Sequence, residues 1–274
     1  VMYGRRKETD RDLLTEKIRE KTGWSRSYAE GVLHDLLDMK ALNDDGSLDY
    51  ENVIDGSIFV GSLRNYIRNG LEDAKSYYRI RGERLPDVSA GVYLEECRNM
   101  PLNTAEASYD TIDKRIRVKE REPPFSGVEA DNSARFLFEE YSRDKLYRVL
   151  LVHEMRHAIN DAKYDVTTKR NAVLDEGLAV FTTLDYCLEK ASEDKEYARL
   201  GINYIRDSLG RSNHYSYGTK IIAGVYSERG EEGIDELFRG NESIDELRAK
   251  YENRGEKYIC LLYTSDAADE GLGV

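Results

Sequence analysis

Apolar residues recur at helical spacing through most of this 274-residue chain and alternate at strand spacing only in its middle. Leu13, Leu14 and Ile18 make one stripe. Val32, Leu33, Leu36 and Leu37 make a second. Both have the spacing of amphipathic helices. Ser27 with Glu30 three residues later is a capping-box pattern and predicts the start of the second helix. Asn43-Asp44-Asp45-Gly46 follows as a turn signal. Residues 10–55 thus read as a small helical module of helix-turn-helix or winged-helix type. A further helix is predicted over 62–80, with Leu63, Tyr66, Ile67, Leu71, Ala74 and Tyr78 in step.

The period then changes. Val88, Gly91-Val92-Tyr93-Leu94 and the set Ile112, Ile116, Val118 suggest strands between 86 and 120. Asp113-Lys114 is predicted to sit in a tight turn between residues 109–112 and 115–118. Three of only four prolines (Pro101, Pro123, Pro124) fall in this stretch and mark it as loop-rich. From 133 onward the pattern is helical, with turns near 163–170, 191–194, 208–214 and 229–232. Strands early and helices late predict an α+β fold. The expected organisation is a helical module at 1–60, a connecting helix at 61–85 and a larger domain at 86–259.

Charge narrows the function classes. Lys and Arg number 41 against 53 Asp and Glu, a formal net charge of −12. Such a balance argues against a dedicated nucleic-acid or anionic-membrane binder. No run of 18 apolar residues predicts a membrane span. The first residues, Val1 to Lys7, lack the apolar core of a secretory signal. The last fifteen residues, opening Cys260-Leu261-Leu262-Tyr263-Thr264-Ser265-Asp266, resemble a translated sequencing-library adapter. Residues 260–274 are therefore left out of the fold reading. Two cysteines then remain, Cys97 and Cys187, with no CxxC spacing. That pattern fits a reducing compartment and a cytoplasmic protein.

The chemistry concentrates in Leu150-Leu151-Val152-His153-Glu154-Met155-Arg156-His157-Ala158, an HExxH sequence inside a helix-compatible apolar run. One helical turn separates positions i and i+4, so His153 and His157 share a face and can ligate one Zn²⁺. Glu154 can reach water on that metal as general base. A third protein ligand is needed, with a fourth position left open.

Eighteen residues separate His157 from Glu176, which opens Glu176-Gly177-Leu178-Ala179. HExxH-x18-E followed by Glu-Gly-x-Ala resembles the gluzincin metallopeptidases of the leucine-aminopeptidase and leukotriene-hydrolase type. The resemblance covers about residues 86–250 and implies a zincin-like (thermolysin-like) catalytic domain. It implies one zinc per chain, held by His153, His157 and Glu176. It also implies peptide-bond hydrolysis with Glu154 as general base on the zinc-bound water. The helix bearing Glu176 has its own core stripe of Leu174, Leu178, Phe181, Leu184 and Leu188, and Gly177 is expected to allow close approach to the metal helix. The family's catalytic tyrosine precedes a later helix as Tyr-x-x-Gly, which aligns Tyr215 of Tyr215-Ser216-Tyr217-Gly218 as an oxyanion donor. Tyr217, or a packing role for both, stays open. Asp175 or Asp161 is a candidate acceptor for a ligand histidine's free N–H. An extended peptide or protein substrate is expected to pair with the edge strand near 109–118. The family's Gly-x-Met-Glu-Asn stretch is absent, since Gly127-Val128-Glu129-Ala130-Asp131-Asn132 does not fit it. Exo- and endopeptidase action both stay open.

The N-terminal module has two readings. A DNA-binding head would make the chain a regulator whose zincin domain senses or binds. Its second helix, however, carries Glu30, Asp35 and Asp38 beside Arg26 and Lys40. Residues 1–21 hold seven basic and five acidic side chains, a small excess. A packing or substrate-gating subdomain is the favoured reading. His34, alone among leucines, reads as a surface or core residue rather than a ligand.

Overall fold

The computed structural model describes residues 2–38, 50–95, 107–121, 143–210 and 214–269. The chain is mostly helical with one small three-stranded mixed sheet, an α+β arrangement. The turn signal at 43–46, Cys97, the clustered prolines and residues 127–132 lie outside the described residues.

Helix α1 (Met2–Thr22) and α2 (Arg26–Asp38) form the start. Gly23 joins them at φ 71°, and its N–H closes the end of α1 on the Arg19 carbonyl at 2.8 Å. This is the left-handed exit that glycine makes without strain. The cap of α2 is Ser25 rather than the expected Ser27. The Ser25 carbonyl accepts the first helical bond from the Ala29 N–H, and its hydroxyl faces the Tyr28 N–H. Glu30 instead pairs with Arg26 at 2.7 Å. No strand occurs among the described residues of this stretch, 2–38 and 50–80.

Helix α3 (Tyr50–Ile80) begins well before the predicted 62 and runs unbroken across the boundary expected at residue 60. Gly61, inside this helix, is where the preceding helices seat. A Cβ there would overlap the Trp24 indole, and the Tyr28 hydroxyl donates to the Gly61 carbonyl at 2.9 Å. The module thus docks on the helix that was expected to begin after it. Farther along, Ile67, Ala74, Tyr77 and Tyr78 are buried.

Strands β1 (Ser89–Glu95), β2 (Ala107–Asp110) and β3 (Arg115–Arg121) form a sheet in the order β1-β3-β2. β3 pairs parallel with β1 and antiparallel with β2, with Tyr109 opposite Ile116. The Asp110 carboxylate accepts from the Ile112 and Asp113 N–H groups at 2.9 and 3.0 Å, and Lys114 takes φ 51°. The predicted turn at Asp113-Lys114 therefore starts earlier. Ile112 is a turn residue, 89% exposed, and not the strand residue expected. Ala107, Ile116 and Val118 point into the core.

Five further helices follow among the described residues. They are α4 (Arg143–Lys163), α5 (Lys169–Ala191), α6 (Glu196–Gly210), α7 (His214–Arg239) and α8 (Ile244–Asp269). The turn expected near 229–232 is a break inside α7, where Gly230 sits at φ 59°. α4 and α5 pack on each other, the sheet and α3 pack on α4, and α7 and α8 pack together beyond α5. One buried cluster joins α3, the sheet and α4 to Tyr186 and Cys187 of α5. The other joins Leu174, Leu178, Phe181 and Leu184 of α5 to α7 and α8. Each large side chain buried there contributes about 1.5–3 kcal/mol. No described helix is long and apolar enough to cross a membrane.

Candidate metal centre

α4 is buried on nearly every face, through Tyr147, Val149, Leu151, Val152, Met155, Ala158 and Ile159. Its polar interior is therefore a short set: His153, Glu154, Arg156 and Asn160 are all buried. Arg156 leaves the site and pairs with Glu83 at 2.7 Å. α5 starts at the Thr168 cap, whose hydroxyl accepts from the Asn171 N–H at 3.1 Å. Asp175 and Glu176 lie on the turn that crosses the two histidines.

Two imidazoles and one carboxylate converge. His153 Nε2 and His157 Nε2 are 3.1 Å apart, and Glu176 Oε2 lies 3.8 and 3.5 Å from them. Donors about 2.05 Å from one ion at tetrahedral angles sit about 3.4 Å from each other. Glu176 Oε2 is shielded from solvent and takes no hydrogen bond. A buried carboxylate oxygen left without a donor is costly, and a cation between it and the imidazoles removes that cost. His153, His157 and Glu176 are thus a group able to hold a metal ion, and no other such group occurs among the described residues.

The ring nitrogens facing away are also engaged. His157 Nδ1 lies 2.7 Å from Asp175 Oδ2, and Asp175 Oδ1 accepts from Asn160 Nδ2 at 2.7 Å. Asp175 therefore fills the acceptor role offered in the sequence to Asp175 or Asp161. Asp161 instead takes the Tyr109 hydroxyl at 2.9 Å and Lys114 Nζ at 2.5 Å, tying the hairpin to α4. His153 Nδ1 lies 2.8 Å from the Tyr204 hydroxyl of α6.

These surroundings set the protonation states. Burial opposes charge on His157, but Asp175 and then Glu176 outweigh it and hold its pKa well above the ordinary value. Burial, then the neighbouring His157, pushes His153 well below. Burial pushes the Glu154 carboxyl up to about 7, against the counter-pull of His157. The backbone N–H of Tyr109 faces that carboxylate from β2. β2 is the sheet edge on this side, whereas residues 115–118 of the expected substrate edge belong to the central strand.

Gly177 does not abut the metal helix as expected. A Cβ there would overlap the backbone of Gly218 on α7. Tyr215 and Gly218 lie within α7 itself rather than before it. Tyr215 is half-buried, and it shares the electrostatic surroundings of Tyr204 with Glu154 and Glu176. Tyr217 lies under the Arg248 guanidinium, 3.8 Å from its ring centre. His34 is exposed on α2. Arg26, the basic residue offered to phosphates, is flanked by Asp12, Glu16 and Glu30.

Sequence reasoning missed Asn160 and Tyr204. An asparagine in an apolar stretch of α4 was a signal for the first. Among 20 tyrosines nothing marked the second. Comparison with family models, curated proteins and solved structures finds no match for this chain.

Proposed function

We propose that the chain is a zinc metallopeptidase of gluzincin type with a zincin-like (thermolysin-like) catalytic domain. The observation that carries this reading is the convergence of His153, His157 and a buried Glu176 Oε2 that takes no hydrogen bond, beside the buried Glu154. Two imidazoles and one carboxylate are the donor set of a catalytic zinc site with one open position, and Glu154 stands beside it without being a ligand. When bound, Zn²⁺ polarises a substrate carbonyl and makes water nucleophilic near neutral pH.

The remaining work falls to the chain. Glu154 takes a proton from the water that attacks the scissile carbonyl carbon. It then delivers that proton to the amine nitrogen as the C–N bond breaks. A carboxyl within reach of both the water and the leaving amine can accept the proton and then release it. Tyr215 donates its hydroxyl proton in a hydrogen bond to the carbonyl oxygen as charge builds there. The open edge of β2 pairs with an extended peptide or protein substrate. The N-terminal module packs on α3 and frames this domain in a cytoplasmic protein.

Glu154→Gln tests the scheme. The variant is expected to keep its zinc and to lose hydrolysis of quenched fluorescent peptides by about 10²-fold or more. Full hydrolysis by a zinc-loaded Glu154→Gln protein overturns it.

A further inference from the structure

We propose that Tyr204 is the positioning residue for His153, its phenol oxygen accepting the Nδ1–H and so presenting Nε2 to the metal. This rests on the metal-centre reading. His153 Nε2 faces His157 Nε2 and Glu176 Oε2 at 3.1 and 3.8 Å. A neutral imidazole carries one proton, and coordination through Nε2 places it on Nδ1. Tyr204, 2.8 Å away, is then the acceptor. The two rings stand edge-on, with centres 5.8 Å apart.

The approach of α6 to α5 is what delivers this tyrosine. Gly201, one turn earlier, sits where a Cβ would come within 2.8 Å of the Cys187 Cβ. Leu200 and Ile205 are buried on either side. The choice of residue has an electrostatic reason. Asp175, Glu176 and Glu154 already place three carboxyl groups around one dication site. A fourth carboxylate supporting His153 would add uncompensated negative charge where little solvent screens it. A phenol orients the ring without adding charge. His157 thus has a charged support, fixed in turn by Asn160, and His153 a neutral one.

The test uses the full-length chain and Zn²⁺ alone. Zinc affinity is measured by competition with a chromophoric chelator for wild type, Tyr204→Phe and Asp175→Asn. Tyr204→Phe keeps the ring and removes only the acceptor. Its zinc affinity is expected to fall about 10–100-fold, with the circular dichroism of the metal-free protein unchanged and its melting temperature lowered by no more than the few degrees that one lost hydrogen bond costs. In the zinc-loaded wild type, nitrogen-15 NMR of the histidine rings is expected to report His153 as the Nδ1-protonated tautomer with a slowly exchanging proton. Exchange of that proton is expected to be fast in Tyr204→Phe. Wild-type affinity in Tyr204→Phe, with Asp175→Asn weakened, overturns the role of Tyr204 and leaves the metal centre standing. A wild type that binds no zinc overturns the metal-centre reading itself. Should Tyr204→Phe fail to fold, the wild-type spectrum still decides. A His153 Nδ1 without a protected proton in the zinc-loaded protein overturns the assignment.

Discussion

On one side of α5 the protein is held by tyrosines, and on the other by glycines. Toward α3 and α4, the rings of Tyr77, Tyr78 and Tyr186 stack edge to face with centres 5.0 and 5.2 Å apart. Their hydroxyls reach out as well. Tyr78 donates to the Val152 carbonyl at 2.7 Å, and Tyr77 to Asp185 at 2.7 Å. Toward α7 and α8 the backbones nearly touch. Gly177 faces Gly218, Gly255 faces Lys220, and a Cβ on Gly224 would lie 2.5 Å from the Tyr251 carbonyl. The histidine helix is fixed mainly by tyrosine rings and hydroxyls, with one close backbone approach at Gly70 of α3, where a Cβ would lie 3.2 Å from the Tyr147 carbonyl. Glu176 is fixed by backbone approach that admits no added atom. The two kinds of donor in the site thus depend on tyrosine contacts and glycine contacts in different proportion.

The largest effect is expected at the glycine seam. In Gly218→Val the new side chain would run into the Val173 carbonyl and the Gly177 backbone. Overpacking of a well-filled core costs about 1–3 kcal/mol and occasionally more, and rigid backbone on both sides puts this case at the high end. Soluble yield and melting temperature are expected to collapse, with zinc binding lost. A variant that melts like wild type would break the comparison.

A second effect is a pH slope set by Glu154. Its folded pKa, about 7, stands above the ordinary glutamate value of 4.5 because of burial. The bound proton therefore favours the fold. This stabilisation is whole below about pH 4.5 and is lost as pH rises through 7. It is on the order of 3 kcal/mol. Thermal melts of metal-free wild type and Glu154→Gln at pH 5 and pH 8 check it. The glutamine variant is expected to gain several degrees on wild type at pH 8 relative to pH 5, and a constant gap would contradict the burial argument.

The smallest effect is expected on the tyrosine side. Tyr78→Phe removes one buried hydrogen bond while the ring stays. The loss is expected to be about 1 kcal/mol, or about 2–4 °C in melting temperature, with zinc affinity unchanged. A fall in affinity as large as that from losing a ligand would mean that the tyrosine side tolerates change no better than the glycine side.

What the sequence revealed follows the same division. His153, Glu154 and His157 were legible because a helix converts spacing directly into direction, and Glu176 only through the HExxH-x18-E resemblance, with the apolar stripe showing no more than that it stands on a helix. The β2–β3 turn was legible from Asp113-Lys114, but its start was misplaced. The Asp110 side chain bonds the Ile112 and Asp113 N–H groups and ends the strand before Ile112, which alternation alone does not register. The start of α3 was missed because Gly56, Ser57 and Gly61 weaken local propensity, while Gly61 is in fact the seat of Trp24. Ser25 displaced Ser27 as the cap of α2, since both fit the local rule and only the path of the chain decides. Gly177 was assigned the wrong partner for a related reason. A glycine advertises close approach but does not say to which helix. Tyr204 meets His153 across 51 residues, through the packing of α6 on α5. No local pattern encodes that meeting.

The most direct test is the metal content of the purified chain beside Glu176→Ala. About one zinc per chain in wild type is expected, with affinity in the variant sharply weakened while its circular dichroism is retained. A folded wild type that takes up no zinc, or a Glu176→Ala protein that binds it equally well, would contradict the three-ligand centre.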